Sequence, residues 1–520
     1  MNNLQPMRAP LYEMLEQYRT QGNITYHVPG HKNGQAYREP RDAGFLGEVM
    51  RHDVTEITGT DDLHHPEGVI KEAQELAADC FGAEESYFLV GGSTAGNLAL
   101  ILTVCKIPGD LILVQRNVHK SVIHGLMLAG ARAVFLEPLL DEGSGLAVVP
   151  APETIGAALA AYPQAAAVLL TLPNYYGMGC DISAVAELCH AAGAVLLVDE
   201  AHGAHYGLHP ALPAGALAAG ADGVVQSTHK MLPALTMGAM LHVQGPRLDR
   251  ALLRQRLAMV QSSSPSYPLM ASLDLARRLV HTEGAEAFTA GLAAVDALQR
   301  GLAELPRFRL LQPAARQQSS GGARAAADPA PPPRPAAYTA QDPFKAVICD
   351  AAGVLGGFEL QRRLEEKGIV PEMSDDRHVV LAFSLGSKAE DSALLLEALR
   401  QIAGEAPADK PAAGTQPEIA LSTWNNHAEG KISEPVAFSL KPSTESETES
   451  VPLEYSTGRA AAEMIVPYPP GIPLLYPGET VRADTVAWLI RLRNGGAKFQ
   501  GNADPGLIRI KVYNKKKGGE

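Results

Sequence analysis

Short apolar runs alternate with helix-sized segments through the central part of this 520-residue chain. Uninterrupted apolar runs of about five residues are typical of strands buried on both faces of a parallel sheet, and the segments between them are long enough for crossover helices. The pattern predicts an α/β domain over residues 66–310, with helices on both sides of a largely parallel sheet. The predicted strands are 87–90, 111–114, 133–136, 167–172, 194–198, 223–226 and 239–243.

The segments on either side of this domain differ from it in composition. Residues 1–65 are polar and turn-rich, and we expect an N-terminal arm that packs over another part of the chain or over a partner subunit. Residues 311–343 are rich in Pro, Gly, Ser and Ala, and a disordered surface insertion is predicted because they contain few large apolar residues. A small α+β domain is expected at 344–404, a polar linker at 405–451 and a C-terminal module at 452–520.

Composition and charge narrow the possible partners. A net charge of −13 and a pI near 5.7 argue against a nucleic-acid-binding surface, which needs clustered basic residues, and are compatible with a cationic small substrate. The five cysteines include no Cys-x-x-Cys pair, and the start of the chain lacks the pattern of a signal peptide. No uncharged apolar run approaches the roughly 18 residues that span a bilayer. We therefore expect a cytoplasmic protein with reduced thiols and no membrane partner.

The strongest chemical signal lies at two predicted strand ends. Asp199 directly follows the run 194–198, and Lys230 lies one strand, helix and strand unit further along the chain. Neighbouring parallel strands would carry both side chains to the same carboxyl edge, where open α/β sheets bind ligands. A lysine can bind a cofactor aldehyde as a Schiff base while a carboxylate keeps a pyridine nitrogen protonated. The pair therefore predicts pyridoxal 5'-phosphate (PLP) as the cofactor.

Two further strand ends support this prediction. Ser93 and Thr94 lie in a Gly-rich turn between the run 87–90 and a predicted helix at 98–105, where helix amides and two hydroxyls can hold a phosphate. His119 follows the next apolar run, and an imidazole at that position can stack on a flat cofactor ring or transfer protons. A Gly-rich turn or a strand-end histidine alone is common without such a role, so the prediction depends on their combination.

Two other functions for the segment 199–202 fit the sequence less well. A Walker B acid matches the letters, but no Gly-x-x-x-x-Gly-Lys-Ser/Thr loop precedes it. A metal site could use His202, His205 and His209, but their spacing does not match His-Glu-x-x-His. Such a site would also leave Lys230 without a role. We therefore expect no metal.

A series of motifs, in order along nearly the whole chain, resembles the fold-type I PLP decarboxylases of the ornithine, lysine and arginine group. The resemblance implies that family's fold, with a large domain, a smaller α+β domain and a C-terminal module. The matching segments are 29–32 (Pro-Gly-His-Lys), 61–64 (Asp-Asp-Leu-His), 92–94 (Gly-Ser-Thr), 116–121 (Arg-Asn-Val-His-Lys-Ser), 199–203 (Asp-Glu-Ala-His-Gly), 227–230 (Ser-Thr-His-Lys), 263–267 (Ser-Ser-Pro-Ser-Tyr), 468–473 (Tyr-Pro-Pro-Gly-Ile-Pro) and 477–479 (Pro-Gly-Glu).

The resemblance also implies roles for individual residues. Lys230 would bind the cofactor covalently, and Asp199 would pair with its pyridine nitrogen. His119 would stack on the ring, and His202 would lie near the phenolic side of the ring. Glu463, before the Tyr-Pro-Pro-Gly-Ile-Pro motif, is our candidate to pair with the distal positive charge of the substrate. The phosphate would be held by Ser93, Thr94, Ser227 and His229.

The implied activity is decarboxylation of a basic amino acid. The chain lacks the long N-terminal wing of the larger inducible enzymes, so it is more similar to their shorter biosynthetic relatives. We expect conversion of L-arginine to agmatine and CO2, in polyamine biosynthesis, by a homodimer or larger homo-oligomer. Lysine or ornithine is the alternative substrate, and an aminotransferase or carbon–sulfur lyase on the same scaffold is a further alternative. A non-catalytic relative would be expected to lack Lys230 or Asp199, and both are present.

Overall fold

The computed structural model describes residues 5–39, 43–313, 336–405, 432–468 and 471–514. Most of the predicted insertion at 311–343 and of the predicted linker at 405–451 lies outside these residues. The chain divides into two compact units. The first contains Met1–Ile112, Leu159–Pro173 and Asp181–Thr289, and the second contains Leu113–Ala158, Asn174–Cys180 and Ala290–Glu520.

Strands and helices alternate through the chain as the apolar pattern predicts. The strands are β1 Glu85–Leu89, β2 Leu111–Gln115, β3 Arg132–Leu136, β4 Ala167–Thr171, β5 Met178–Gly179, β6 Val195–Asp199, β7 Gly223–Gln226, β8 Ala239–Val243, β9 Phe308–Leu310, β10 Ala340–Gln341, β11 Lys345–Asp350, β12 Met373–Ser374, β13 Val379–Ala382, β14 Val436–Ala437, β15 Thr448–Pro452, β16 Val466–Tyr468, β17 Lys498–Gln500 and β18 Arg509–Tyr513. The α-helices are α1 Pro10–Gln21, α2 Leu46–Met50, α3 Val69–Phe81, α4 Gly92–Val104, α5 Lys120–Ala129, α6 Pro152–Ala161, α7 Ser183–Ala191, α8 Thr228–Met231, α9 Arg250–Val260, α10 Tyr267–Glu283, α11 Thr289–Ala303, α12 Gly357–Glu366, α13 Ala389–Glu405 and α14 Ala483–Asn494.

Strands of the first unit pair in the order β1-β8-β7-β6-β4. β4 and β7 run parallel to β6, whereas β8 runs antiparallel to both β7 and β1. The predicted α/β class is confirmed. The antiparallel edge arises because the connection from β7 to β8 contains only the four-residue α8, which is too short to act as a crossover helix. Each fully buried aliphatic side chain contributes roughly 1.5–3 kcal/mol, and the central strands bury Leu196, Leu197, Val198, Val224 and Val225 completely.

The connection from β6 to β7 differs from the expectation. The sequence spacing predicts a helix between these strands, but residues 200–222 form successive turns. Gly207 has a left-handed backbone, with φ of +77°, and Pro210 and Pro213 follow it. Proline removes a backbone donor and clashes with the preceding turn, so this composition excludes a helix. The two strands still pair in parallel, with Asp199 opposite Val225.

The N-terminal arm begins with a helix that packs within the first unit. Leu11 and Leu15 of α1 are at most 1% exposed and belong to an apolar cluster that includes Phe88. The start of α1 is held by the fully buried ion pair between Asp274 and Arg277. The backbone N–H of Leu11 donates to Asp274 at 3.1 Å, and the Arg277 guanidinium donates to two carbonyls of the segment before the helix. Part of the arm therefore packs on the same chain.

The second unit contains an antiparallel sheet with the strand order β12-β13-β11-β9. Its strands β11, β12 and β13, together with α12, lie within residues 344–404, where the sequence predicts a small α+β domain. The C-terminal residues form the pairs β15–β18 and β16–β17, and β15 begins inside the stretch predicted as linker. These residues have an apolar cluster of their own, which includes Leu453, Leu475, Leu489 and Leu507.

The cysteine thiols and the length of the helices relate to the expectation of reduced thiols and no membrane partner. All five cysteines have free thiols. Burial raises the pKa of Cys80, Cys105 and Cys189 to about 12, so these three thiols stay protonated and unreactive at neutral pH. In the described part of the chain, no helix combines the length and the apolar character required to cross a membrane.

The Asp61 carboxylate organises the loop that leads into α3. It accepts hydrogen bonds from five backbone N–H groups, at 2.9 to 3.3 Å; the donors are Asp62, Glu67, Gly68, Ile70 and Lys71. Two of these donors lie in the first turn of α3, where a helix lacks internal partners for its N–H groups. Partial burial acts to raise the pKa of Asp61, but the backbone hydrogen bonds outweigh it and bring the pKa below its usual value.

We predict that Asp61→Asn lowers the free energy of unfolding at pH 7 by about 2 kcal/mol, because an amide nitrogen would face backbone donors. A lowered folded pKa means that the stabilisation is present above the unfolded pKa of about 4 and is lost as the pH falls through the folded pKa. Urea unfolding at pH 7 and pH 3 should show the deficit shrinking at the lower pH. Glu67→Gln, whose side chain is 80% exposed, is the matched control. Equal unfolding midpoints for the two variants would contradict this role.

Candidate active site

Asp199 ends β6 as a buried carboxylate with fixed partners. The residue is 3% exposed, and its Oδ2 accepts a hydrogen bond from Asn97 Nδ2 at 2.8 Å. Its Oδ1 accepts from the backbone N–H of Ala201 at 3.2 Å. Burial raises the pKa of Asp199, and Asn97, Lys230 and the Ala201 N–H oppose that rise. A buried carboxylate of this kind is suited to a cationic partner, such as a protonated ring nitrogen.

Asn97 is a site residue that the sequence analysis missed. It lies on α4, where the residues that follow it up to Leu102 are all apolar, and it is 1% exposed. Its amide holds the Asp199 carboxylate and so fixes the plane of that group. Its polarity could have identified it from the sequence, because a polar amide buried among apolar residues requires a hydrogen-bond partner.

Lys230 lies beyond the carboxyl end of β7, beside His202. Its Nζ is 2.9 Å from Nε2 of His202, which is 4% exposed. Because β6 and β7 are parallel, Asp199 and the segment that carries Lys230 follow the same edge of the sheet, as the sequence analysis predicts. The structure thus places Asp199 at the end of β6, His202 three residues later and Lys230 just beyond β7, all in the first unit.

The predicted phosphate-binding residues come from two segments joined by one turn. The N–H of Gly92, which begins α4, donates to the carbonyl of Met237 at 3.0 Å. Both the backbone N–H and the ring Nδ1 of His229 are bonded to the next carbonyl, that of Gly238, at 3.1 and 2.9 Å. The Met237-Gly238 turn therefore holds the start of α4 and the start of α8 together. Ser93 lies half-buried and Thr94 exposed in the first turn of α4.

Two observations indicate that these segments fit a phosphate. The Oγ of Ser227 is completely buried and has no hydrogen-bond partner among the described residues. A buried hydroxyl without a partner is costly, so a ligand oxygen at this point would satisfy it. Gly96 allows α4 to approach the sheet, since a Cβ there would lie 2.8 Å from side-chain atoms of both Leu89 and Val225. Close packing positions the helix N-terminus, which attracts anions.

His119 belongs to the second unit and caps α5. Its Nδ1 lies 3.2 Å from the backbone nitrogen of Ser121 and 2.9 Å from the hydroxyl of that residue. A backbone N–H can only donate, so Nδ1 accepts and the neutral ring carries its proton on Nε2. The imidazole is therefore held in one tautomer and one orientation.

The environment of Glu463 argues against its predicted role. The residue is 8% exposed, and each carboxylate oxygen accepts a backbone N–H at 2.8 Å, one from Ala503 and one from Lys511. A carboxylate used in this way stabilises the C-terminal strands. A substrate cation would have to compete with two fixed backbone donors, so we do not assign substrate recognition to Glu463.

A second buried carboxylate, Glu200, follows Asp199 and starts a chain of hydrogen bonds through the sheet. Its Oε2 accepts from Gln226 at 2.7 Å and its Oε1 accepts from the N–H of Ala216 at 2.7 Å. Gln226 contacts Nε2 of His242 at 3.2 Å, and Nδ1 of His242 contacts Ser86 at 2.7 Å. Burial raises the pKa of Glu200 to about 8 and lowers the pKa of His242 to about 3.

A strand-end carboxylate, a lysine after the neighbouring parallel strand and a helix start shaped for phosphate define a PLP enzyme of fold type I. Two family descriptions match the chain: "Orn/Lys/Arg decarboxylase, major domain" over residues 9–391 and "Orn/Lys/Arg decarboxylase, C-terminal domain" over residues 434–505. The chain belongs to the Orn/Lys/Arg decarboxylase family, whose members are PLP-dependent enzymes.

Individual relatives match nearly the whole chain. "Uncharacterized protein YaaO" of Bacillus subtilis is 40% identical over 98% of this chain and 99% of its own length. "Arginine decarboxylase" of the same organism is 32% identical over 98% of each chain. The structure of the lysine decarboxylase LdcF from Francisella novicida superposes with a TM-score of 0.75 at 21% identity, and covers 99% of this chain and 82% of that chain. This last likeness supports the fold.

We predict that Glu200→Gln changes how stability depends on pH. The folded pKa of Glu200 lies above the unfolded value of about 4.3, so its favourable contribution is complete at low pH and is lost as the pH rises towards 8. The variant should therefore gain stability relative to wild type between pH 5 and 8.5, by a few kcal/mol, since one pKa unit corresponds to about 1.4 kcal/mol. Urea unfolding across this range measures the difference, with the exposed Glu187→Gln as control. Parallel pH profiles for wild type and Glu200→Gln would contradict the assignment.

Proposed function

We propose that this protein decarboxylates L-arginine to agmatine and CO2. The observation that carries the choice of substrate is the end-to-end match with a relative named arginine decarboxylase, 98% of each chain. The lysine decarboxylase of known structure, by contrast, is the longer protein, because the match covers 82% of its chain and 99% of this one. Lysine and ornithine are the alternative substrates. Polyamine biosynthesis in the cytoplasm is the setting that we propose for this activity.

Asp199 and its partners would act on the cofactor ring. When bound, PLP supplies an electron sink for the electron pair that departing CO2 leaves behind. The Asp199 carboxylate, fixed by Asn97 and by the Ala201 N–H, would hold a proton on the ring nitrogen. In a water-poor site such an ion pair is strong and already oriented, which is how fixed charges stabilise a transition state. His119, held by Ser121, would stack on the ring.

Lys230 would bind the cofactor aldehyde, and His202 would exchange a proton with the Lys230 amine. Lys230 Nζ is the nucleophile that would bind the aldehyde covalently. His202 Nε2, 2.9 Å away, can take a proton from this amine or return one to it. The phosphate would be held by the start of α4 together with Ser93, Thr94, Ser227 and His229. The α-carbon would receive its proton from Lys230 or from a histidine.

The purified protein should release CO2 from L-arginine, with lower kcat/KM for lysine and ornithine. Lys230→Ala should reduce kcat by at least about a thousandfold, because the covalent attachment point is lost. Asn97→Ala should lower kcat less, by about tenfold, because it loosens Asp199 without removing it. CO2 release with each of the three amino acids is the measurement. Release from none of them would contradict decarboxylation, and a preference for lysine or ornithine would contradict the choice of arginine.

We also propose that the protein works as a homodimer or larger homo-oligomer. Apolar side chains of the N-terminal arm are exposed in the single chain, and large exposed apolar patches mark protein interfaces. Their exposed fractions are 86% for Ile24, 94% for Tyr26, 64% for Val28 and 79% for Phe45. A second copy of the chain would cover them.

The double variant Tyr26→Ser/Phe45→Ser should dissociate at about tenfold higher protein concentration than wild type, because less apolar area is buried between subunits. Light scattering after size-exclusion chromatography measures the mass, and activity should fall with it on dilution. Ile508→Ser, which removes a 62% exposed apolar side chain elsewhere, is the control. A monomeric wild type with full activity would rule out this proposal.

A further inference from the structure

The loop that carries His119 is held by C-terminal residues of the same unit. Arg116 lies three residues before His119 and is buried. Its Nη2 donates to both carboxylate oxygens of Glu479, at 2.8 and 2.9 Å. The same guanidinium donates to the carbonyls of Pro473 and Leu474, at 3.0 and 3.1 Å. A charged pair with further acceptors on the same segment fixes the guanidinium plane.

Two aromatic rings complete the environment of Arg116. Its Cζ lies 4.7 Å from the ring centroid of Tyr476 and 5.8 Å from that of Phe135. The two rings are themselves stacked, with centroids 4.8 Å apart. A guanidinium over an aromatic face gains a cation–π attraction, which is stronger away from water. The beginning of the His119 loop is thus fixed to the segment 473–479.

A second contact reaches His119 itself. The backbone N–H of Lys120 donates to the carbonyl of Gly471 at 3.0 Å. Gly471 has φ of +93°, and a Cβ on it would lie 3.0 Å from Nε2 and 3.1 Å from Cδ2 of the His119 ring. Carbon atoms in contact are normally about 3.5–4.0 Å apart. A Cβ at 471 would therefore press on the imidazole, and the ring would have to move by a few tenths of an ångström.

His119 is consequently fixed on two edges. Ser121 holds its Nδ1, and the Gly471 backbone borders its Nε2 and Cδ2. A stacking ring needs its plane defined within about 10–20°, and supporting residues supply that precision. The first support comes from the loop itself, whereas the second comes from more than 350 residues further along the chain.

We propose that Gly471, together with the Arg116–Glu479 ion pair, positions the His119 ring for stacking on the cofactor. The inference rests on the proposed role of His119 against PLP. It gives the C-terminal residues a part in binding the cofactor. The positioning acts through the shape of the backbone at 471 and through a buried ion pair, and neither group touches the reacting atoms.

The test compares Gly471→Ala with Gly496→Ala. Both glycines lie in the C-terminal residues and have similar φ, +93° and +90°, but a Cβ on Gly496 meets nothing within 4 Å. Backbone strain is therefore matched, and the contact with His119 is what differs. We expect the apo form of Gly471→Ala to bind PLP about tenfold more weakly than that of Gly496→Ala. The absorbance maximum of the bound cofactor should shift in Gly471→Ala alone, while the two apo proteins unfold at the same temperature.

Glu479→Gln is a second variant, which keeps the size of the side chain and removes its charge. It should weaken PLP binding about threefold. If Gly471→Ala does not fold, this variant replaces it in the test. In a His119→Ala background, neither Gly471→Ala nor Glu479→Gln should weaken PLP binding further, because the group through which they act is gone. A general structural role would weaken binding equally in both backgrounds.

Equal PLP affinities and spectra for Gly471→Ala and Gly496→Ala would overturn the proposal. Undiminished effects in the His119→Ala background would overturn it as well. PLP binding is measured without substrate, so the comparison stays valid whichever amino acid the enzyme uses. A wild type that binds PLP and releases no CO2 from any of the three amino acids would overturn the proposed function alone.

Discussion

A carboxylate buried at the end of a central strand is the constraint on which the site depends. Removing a carboxylate from water costs several kcal/mol unless charges or hydrogen bonds replace the lost solvent. Asp199 receives an amide from Asn97, a backbone N–H from Ala201 and the field of Lys230. The two hydrogen-bond donors lie on different segments, Asn97 on α4 and Ala201 directly after β6. The burial of one group therefore fixes the placement of α4 relative to the end of β6.

The same constraint explains why α4 lies so close to the sheet. Asn97 can reach Asp199 because Gly96, next to it, has no Cβ that would meet Leu89 and Val225. The close approach also sets the position of the first turn of α4, with Ser93 and Thr94. Carbonyls of the Met237-Gly238 turn then bond to Gly92 and His229. The two segments that would hold the phosphate, 93–94 and 227–229, thus belong to one packed unit although they are more than 130 positions apart.

The sequence was sufficient to predict the sheet and its strand ends. It was insufficient to predict hydrogen bonds between side chains that are far apart along the chain. Buried strands are readable because both faces are apolar, so the strand of Asp199 and the strand before Lys230 were both predicted correctly. The helix expected between them is absent, since Gly207, Pro210 and Pro213 override the spacing argument. Asn97 was missed because its role depends on a contact with a residue about a hundred positions away. The role predicted for Glu463 stays a prediction, and the sequence gives no sign that both of its carboxylate oxygens accept backbone N–H groups.

The residues around Asp199 and Lys230 are held in place differently from the C-terminal residues, which include Glu463. The residues around Asp199 and Lys230 are held by a sheet in which each strand pairs along several residues, and their positions are fixed by the buried carboxylate. The C-terminal residues instead form two-stranded pairs and use acidic side chains, such as Glu463 and Glu479, to satisfy backbone and guanidinium donors. The geometry of the Asp199 carboxylate therefore depends on partners within the first unit, Asn97 and Ala201.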